Sequence, residues 1–272
     1  MVTTDSAPRP RKRYGQHFLH DSAIIARIVR AIDPRPGQCI VEIGPGRGAL
    51  TLPLLQAVGE LDVLEIDRDL AALLKQRFET ASDRLRVHCV DALRCRFDTL
   101  ATPGRPIIVV GNLPYNISTP LLFHMLEQIE HVACMVFMLQ REVAERIAAS
   151  RGGRQYGRLS VMVQYHCRVE PLFHVGPGAF TPPPKVDSTV IRLTPLRRDA
   201  TERAVSATQF ARVVARAFSS RRKTLRNALK GWLSEEDFRT LAINPQQRPE
   251  TLTVEQFVSI ANHNALGRED VM

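Results

Sequence analysis

A chain of 272 residues, 44% of them hydrophobic, is long enough for one large α/β domain with a small second domain. Lys and Arg number 37 against 28 Asp and Glu, and the formal net charge of +9 points to a polyanionic partner, unless it serves solubility alone. The five cysteines form no Cys-x-x-Cys pair, the histidines complete no metal pattern and no apolar stretch reaches the length of a membrane span, so we expect a cytoplasmic protein without metal or membrane segment.

Helical and strand-like segments alternate through the first half of the chain. After a basic N-terminal arm, a helix is predicted from Asp21, whose side chain can cap it. Amphipathic segments then begin near Arg47, Asp69, Asp91 and Ser118. The apolar runs between them cover residues 39–43, 61–66, 85–90, 107–110 and 134–139. This alternation predicts a parallel sheet with helices on both faces.

The pattern changes beyond residue 140. Helical stretches to about residue 149 and over 158–167 are followed by two strand-like runs, 169–175 and 186–193, that can add an antiparallel pair to the sheet edge. From about residue 197 onward the chain reads as helices only. We therefore predict two domains, 1–196 and 197–272.

A glycine-rich turn follows the first strand of the sheet and opens a helix. Its Gly44, Gly46 and Gly48 permit a tight turn with a ligand close to the backbone, and a helix N-terminus favours an anionic group. Glu65 ends the next strand, where a carboxylate can accept hydrogen bonds from both hydroxyls of a ribose. The turn predicts a nucleoside cofactor, and on this loop alone NAD remains open.

The next two strands end in groups suited to purines. Asp91 stands where it can accept from an adenine amino group, although, taken alone, it is better explained as a helix N-cap or a solvated loop charge. The turn after the fourth strand offers an amide, backbone carbonyls and an aromatic ring, and it consists of Asn112, Leu113, Pro114 and Tyr115. These groups can bind a flat base that carries an exocyclic amine. Because the carboxyl ends of parallel strands share one crevice, the four turns together favour S-adenosylmethionine as a methyl donor.

Six motifs along the chain resemble the ribosomal RNA adenine dimethyltransferases, most closely the bacterial small-subunit (16S) enzymes. The motifs are YGQHFL at 14–19, VEIGPG at 41–46, EIDRD at 65–69, NLPYNIS at 112–118, FTPPPKVDS at 180–188 and RRKTLRN at 221–227. The resemblance implies a Rossmann-like class I S-adenosylmethionine-dependent methyltransferase domain with a mostly parallel seven-stranded sheet, and a small all-helical C-terminal domain.

The same resemblance assigns roles to individual residues. The implied catalytic residues are those of the turn after the fourth strand, Asn112, Leu113, Pro114 and Tyr115. Phe180 is expected to close the opposite side of the base. Apart from this context, core packing would explain Tyr115 and Phe180. Relatives often carry asparagine in place of His17, so the contact of this residue with the cofactor is expected through its backbone or through a different polar atom. The implied cofactor contacts are His17, Leu19, Gly44, Gly46, Glu65, Asp91 and Asn112.

Positive charge clusters at both ends of the chain and predicts RNA binding. In the C-terminal region, basic side chains would share one face of a continuous helix unless Ser219 and Ser220 break it. The resemblance implies two adjacent adenosines near the 3′ end of small-subunit rRNA as target, in the assembling 30S particle, and we expect a monomer. The candidate RNA-binding residues are Arg11, Lys12, Arg13, Arg221, Arg222, Lys223 and Arg226.

Other interpretations are weaker. A resistance-type large-subunit rRNA methyltransferase or a DNA adenine enzyme shares the cofactor loop, but the loop at Phe180 and the stretch 221–227 favour the small-subunit family. An RNA-binding assembly factor with little catalysis would not need the intact Glu65 and Asp91. The function of a nicotinamide oxidoreductase would not explain the residues of the Asn112 turn.

Overall fold

The computed structural model describes residues 10–11, 14–101, 105–197, 203–220 and 222–266. The chain forms two compact units, one of residues 1–144 with 169–195 and the other of residues 145–168 with 196–272. The predicted division into 1–196 and 197–272 places residues 145–168 in the first domain, whereas they belong to the second compact unit.

The secondary structure of the described residues is as follows. The strands are β1 (Phe18–Leu19), β2 (Ile40–Ile43), β3 (Leu61–Leu64), β4 (Leu85–His88), β5 (Ile107–Asn112), β6 (Val132–Gln140), β7 (Cys167–Val175), β8 (Phe180–Thr181) and β9 (Ser188–Pro195). The helices are α1 (Ser22–Ile32), α2 (Thr51–Val58), α3 (Arg68–Arg77), α4 (Ser118–Leu126), α5 (Arg141–Ala148), α6 (Arg158–His166), α7 (Ala207–Ala217), α8 (Leu225–Ala228), α9 (Glu235–Thr240) and α10 (Val254–Leu266).

A seven-stranded sheet in the order β4-β3-β2-β5-β6-β9-β7 forms the centre of the fold. Neighbours from β4 through β6 pair in parallel, whereas β9 pairs with β6 antiparallel, with Gln140 opposite Ser188. Every residue of β2 and β3 is buried, as expected for strands covered on both faces. The predicted Rossmann-like, mostly parallel seven-stranded architecture is confirmed.

Two predicted helices differ from the structure. The segment after Asp91 forms two short 3₁₀ turns, Ala92–Arg94 and Phe97–Thr99, because the chain becomes extended between them at Cys95. The continuous C-terminal helix divides: α7 ends at Ala217, and α8 begins only after Thr224, where the N–H of Leu225 bonds to the carbonyl of Gln247. The basic residues therefore do not share one helical face: Arg212 and Arg216 lie on α7 and Arg226 on α8, whereas Lys223 and Lys230 lie outside both helices.

Capping by acidic side chains explains where α1 and α3 begin. Asp21 accepts from the N–H of Ile24 at 3.0 Å, as the sequence predicts. Asp67 accepts from the N–H of Asp69 at 3.1 Å, so α3 begins at Arg68, with three residues separating it from the end of β3. None of the helices in the described ranges combines the length and apolar character that a membrane crossing requires. Those ranges also contain no cluster of three His, Cys, Asp or Glu side chains suited to a metal ion.

Candidate active site

One cavity opens at the carboxyl ends of the central strands. The turns after β2, β3, β4 and β5 all contribute to its wall, together with the N-terminal segment 14–18. The sequence analysis placed a ligand-binding turn after each of these four strands. The predicted residues found in the wall are His17, Gly44, Gly46, Glu65, Asp91, Asn112, Leu113, Pro114 and Tyr115.

The glycine turn takes a backbone conformation that favours glycine. Gly44 and Gly46 have φ angles of +65° and +57°, in the left-handed region. A Cβ atom at Gly46 would also lie 3.1 Å from the ring of Phe18. The backbone therefore approaches the cavity closely, and the N–H of Gly46 donates to Glu65 Oε2 at 3.1 Å.

Glu65 presents a buried carboxylate with acceptor capacity remaining. Its side chain accepts from Gly46 through Oε2 and from the N–H of Asp67 through Oε1, at 2.9 Å, and the residue is 4% exposed. Burial raises its pKa, and the backbone N–H groups of Asp67, Gly46 and Ile66 oppose that rise. Since an ionised carboxylate accepts about four hydrogen bonds, it can still accept from a ribose hydroxyl.

Apolar side chains lie beside the acids in the cavity wall. Ile66 and Val90 are each 42% exposed, although both line the cavity. Asp91 caps the following turn by accepting from the N–H of Leu93 at 3.0 Å. It also lines the cavity, so its role as a cap does not exclude contact with a ligand. The sequence analysis missed Ile66 and Val90, although an apolar residue next to each strand-end acid was the available signal.

Asn112 has a defined orientation at the end of β5. Its Nδ2 donates to the backbone carbonyl of His17 at 3.0 Å, which identifies Oδ1 as the remaining acceptor. Within the described ranges, Oδ1 makes no hydrogen bond. The preceding Gly111 permits this arrangement, because a Cβ atom there would lie 2.5 Å from the carbonyl oxygen of Ile43.

Tyr115 is held from two sides. Its hydroxyl hydrogen-bonds to Ser188 Oγ at 2.8 Å, and burial raises the pKa of that hydroxyl. Its ring stacks on the imidazole of His17, with centroids 5.5 Å apart and planes inclined by 29°. Ser188 is fully buried at the start of β9. Sequence reasoning quoted Ser188 within a motif without giving it this role.

The N-terminal segment is attached to α3 by charge. Arg11 pairs with Asp67 at 3.0 Å and also with Asp69, and Gln16 Nε2 donates to Asp67 Oδ2 at 3.1 Å. The guanidinium of Arg11, predicted to bind RNA, thus neutralises two carboxylates of the protein. Its proposed RNA contact remains a prediction.

Leu19 and Phe180 lie behind the cavity wall. They face each other in the short ladder between β1 and β8 and are 7% and 2% exposed. Leu19 lines a smaller adjoining cavity. Phe180 packs in the hydrophobic core and, in the described structure, does not border the main cavity. A contact between Phe180 and a base would require the loop to move.

Glu42 is a buried acid that sequence reasoning left without a role. It lines the smaller cavity beside the glycine turn, is 2% exposed and accepts from Thr51 Oγ1 at 2.6 Å. Burial is the largest influence on this carboxyl and, with the charge of Glu65, raises its pKa to about 7 although the Thr51 bond opposes the rise.

The candidate RNA-binding residues of the second unit are only partly described. Arg222 and Lys223 are exposed, and no acidic side chain in the described ranges pairs with them. Arg226 donates to Glu235 at 2.8 Å. Lys12, Arg13 and Arg221 lie outside the described residues.

Comparison with known proteins identifies the family. The sequence model of ribosomal RNA adenine dimethylase matches residues 8–265. The chain is 56% identical over 255 residues to ribosomal RNA small subunit methyltransferase A of Nitrosococcus oceani, covering 94% of this chain and 96% of that protein. It is 55% identical over 257 residues to the Pseudomonas aeruginosa protein of the same name, covering 94% and 95%.

Solved structures show the same fold. A dimethyladenosine transferase from Plasmodium falciparum superposes with a TM-score of 0.75 at 25% identity, covering 92% of this chain and 98% of that one. The 23S rRNA methyltransferase ErmE superposes with a TM-score of 0.67 at 24% identity, covering 91% and 99%, and supports the fold alone. These findings confirm the resemblance predicted from the motifs. The chain belongs to the ribosomal RNA adenine dimethylase family, whose enzymes use S-adenosylmethionine as methyl donor.

Proposed function

We propose that the protein transfers methyl groups from S-adenosylmethionine to N6 of two adjacent adenosines near the 3′ end of small-subunit rRNA, giving N6,N6-dimethyladenosine. The observation that carries the proposal is the Asn112 side chain. Its amide nitrogen is held by the carbonyl of His17, so its oxygen is left as an acceptor in the cavity that also contains Glu65 and Asp91. The names of the two bacterial relatives support the small subunit as the source of the RNA.

The cavity fits the methyl donor. Glu65 would hold the ribose hydroxyls, Asp91 the adenine amino group, and Ile66 with Val90 the faces of the adenine ring. Gly44 and Gly46 would admit the cofactor close to the backbone, together with contacts from His17 and Leu19. When bound, S-adenosylmethionine supplies an electrophilic methyl group on a positively charged sulfur.

The residues of the Asn112 turn would prepare the target nitrogen. The lone pair of an adenine amino group is conjugated with the ring, so the amine must be held in place to act as a nucleophile. Asn112 Oδ1 and the carbonyl of Leu113 would accept its N–H bonds, and Pro114 restricts the turn between them and Tyr115. The ring of Tyr115 would stack on the base, which must leave its own stack to reach the cavity.

No strong general base is needed in this scheme. The amine proton becomes acidic only after the methyl group has been transferred, so solvent is a sufficient acceptor. We therefore assign no catalytic histidine. After the first transfer one N–H remains, and one of the two acceptors must then accommodate a methyl group.

The RNA partner is the assembling 30S particle in this proposal, with the methylations occurring late in small-subunit assembly. The exposed cations Arg222 and Lys223 support phosphate contact, and the net charge of +9 agrees with a polyanionic partner. The other residues that we propose for phosphate contact are Arg11, Lys12, Arg13, Arg221 and Arg226. We propose that the protein acts in the cytoplasm as a monomer.

Asn112→Ala tests the role of the turn. We expect kcat for RNA methylation to fall by about 10²–10³-fold, the usual effect of losing a positioned polar group, with S-adenosylmethionine binding retained. Asn116→Ala is the matched control, since Asn116 lies on the same loop but is exposed and outside the cavity wall. Near-normal methylation by the Asn112 variant would exclude the proposed role.

A further inference from the structure

The imidazole of His17 connects two parts of the active site that are distant in the sequence. Its Nδ1 lies 2.7 Å from the backbone carbonyl of Pro182, and its ring stacks on Tyr115. The carbonyl of the same residue accepts the amide proton of Asn112. His17 therefore contacts both base-binding side chains and the loop that follows Phe180.

The direction of the bond to Pro182 follows from the chemistry of its partner. A carbonyl oxygen only accepts, so Nδ1 of His17 must carry the proton and donate. This assigns the tautomer of the neutral ring, with Nε2 unprotonated. The imidazole donates a hydrogen bond to the carbonyl of Pro182 and stacks on the ring of Tyr115.

The position of this bond is explained by the prolines. β1 pairs with β8 through Phe18 opposite Thr181 and Leu19 opposite Phe180, and the N–H of His20 bonds to the carbonyl of Ala179. The three residues after Thr181 are prolines, which have no N–H to donate, so the ladder cannot continue. The His17 side chain makes the next connection between the two segments.

The far end of the same loop is attached to Tyr115 as well. Ser188, the first residue of β9, hydrogen-bonds to the Tyr115 hydroxyl at 2.8 Å. The loop of residues 182–187 is thus fastened at its start through His17, which stacks on the ring of Tyr115, and at its end through Ser188, which hydrogen-bonds to the hydroxyl of Tyr115. The position of the ring depends on both.

We propose that His17 is a positioning residue whose imidazole fastens the N-terminal segment to the proline loop and holds the ring of Tyr115 in place for the target base, while its backbone carbonyl orients Asn112. This inference rests on the proposed function of the Asn112 turn. It gives the side chain of His17 a role in base positioning and leaves any cofactor contact of this residue to its backbone. The imidazole acts through Tyr115 and the proline loop and takes no part in proton transfer.

Three substitutions separate the hydrogen bond from the ring. His17→Asn keeps a donor close to the position of Nδ1, His17→Phe keeps a ring without the donor, and His17→Ala removes both. We expect Ala and Phe to lower kcat for RNA methylation by about tenfold, as misplacement of reacting groups does, with the dissociation constant for S-adenosylmethionine unchanged. We expect the His17→Asn variant to keep most of the wild-type kcat that the Ala and Phe variants lose.

The exposed His20 offers a matched control. It lies three residues away on the same segment, and only its backbone bonds to Ala179, so His20→Ala is expected to behave as the wild type. The inference is overturned if His17→Asn is as impaired as His17→Ala, or if loss of cofactor affinity accounts for the loss of rate. Failure of the wild type to produce dimethyladenosine would instead overturn the proposed function.

Discussion

The stability of the protein should depend on pH through Glu42. This carboxyl is 2% exposed and has one hydrogen-bond donor, Thr51, at 2.6 Å. Burial raises its pKa to about 7, whereas a glutamate in an unfolded chain titrates near about 4.3. As the pH rises between these values, the unfolded chain releases the proton and the folded protein retains it. Stability is therefore lost as the pH rises through this interval.

The size of the effect follows from the two pKa values. Each unit of difference corresponds to about 1.4 kcal/mol, so the charged carboxyl of Glu42 reduces the free energy of unfolding by roughly 4 kcal/mol well above pH 7. The penalty disappears below the pKa of the unfolded chain, where both states carry the proton. Glu42→Gln removes the titration but keeps an oxygen that accepts from Thr51.

Urea unfolding followed by circular dichroism measures the effect. Between about pH 5 and about pH 8, we expect the free energy of unfolding of Glu42→Gln to increase relative to the wild type by roughly 2–3 kcal/mol. Glu79→Gln is the control, because Glu79 is exposed and forms no ion pair with any described residue. A difference between Glu42→Gln and the wild type that stays constant with pH would refute the reasoning.

Three further predictions concern the frame and surface of the site. Gly111→Ala places a Cβ atom 2.5 Å from the carbonyl oxygen of Ile43, and we expect a loss of about 1–3 kcal/mol in unfolding experiments; Gly178→Ala, with open space around it, should be neutral, and equal stability of the two variants would contradict the geometry. Asp67→Ala removes the cap of α3 and the partner of Arg11 and Gln16, so proteolysis within residues 1–16 should accelerate and stability fall by about 1 kcal/mol; an unchanged cleavage rate would show that these bonds do not hold the segment. Replacing Arg222 and Lys223 with alanine should weaken RNA binding and reduce its dependence on salt by about one phosphate contact for each cation; a salt dependence equal to that of the wild type would remove both residues from the RNA surface.

The sheet could be predicted because its signals are local. Apolar runs alternate with amphipathic segments at the spacing of a parallel α/β fold, and each strand-end turn carries a residue type with a specific preference. The left-handed backbone at position 46 favours glycine, and Glu65 follows a fully buried strand. Because all such turns open at the same edge of the sheet, the main lining residues of the cavity followed from their order in the sequence.

The missed features depend on contacts between distant parts of the chain. His17 and Pro182 are 165 positions apart, and Tyr115 and Ser188 are 73 apart, so no periodicity relates them. Arg11 was interpreted by its charge alone, whereas its ion pair with Asp67 requires α3 to begin beside the N-terminal segment. Residues 145–168 have the pattern of ordinary helices, and only packing decides the unit to which they belong.

The central claim is tested most directly by the nucleosides that the enzyme produces. Small ribosomal subunits lacking the modification are incubated with the protein and labelled S-adenosylmethionine, and the rRNA is then mapped and digested to nucleosides. The account predicts label in N6,N6-dimethyladenosine at two adjacent adenosines near the 3′ end, and little label with the Asn112→Ala variant. Absence of labelled dimethyladenosine with the wild-type protein, while the protein still binds the subunit, would contradict it.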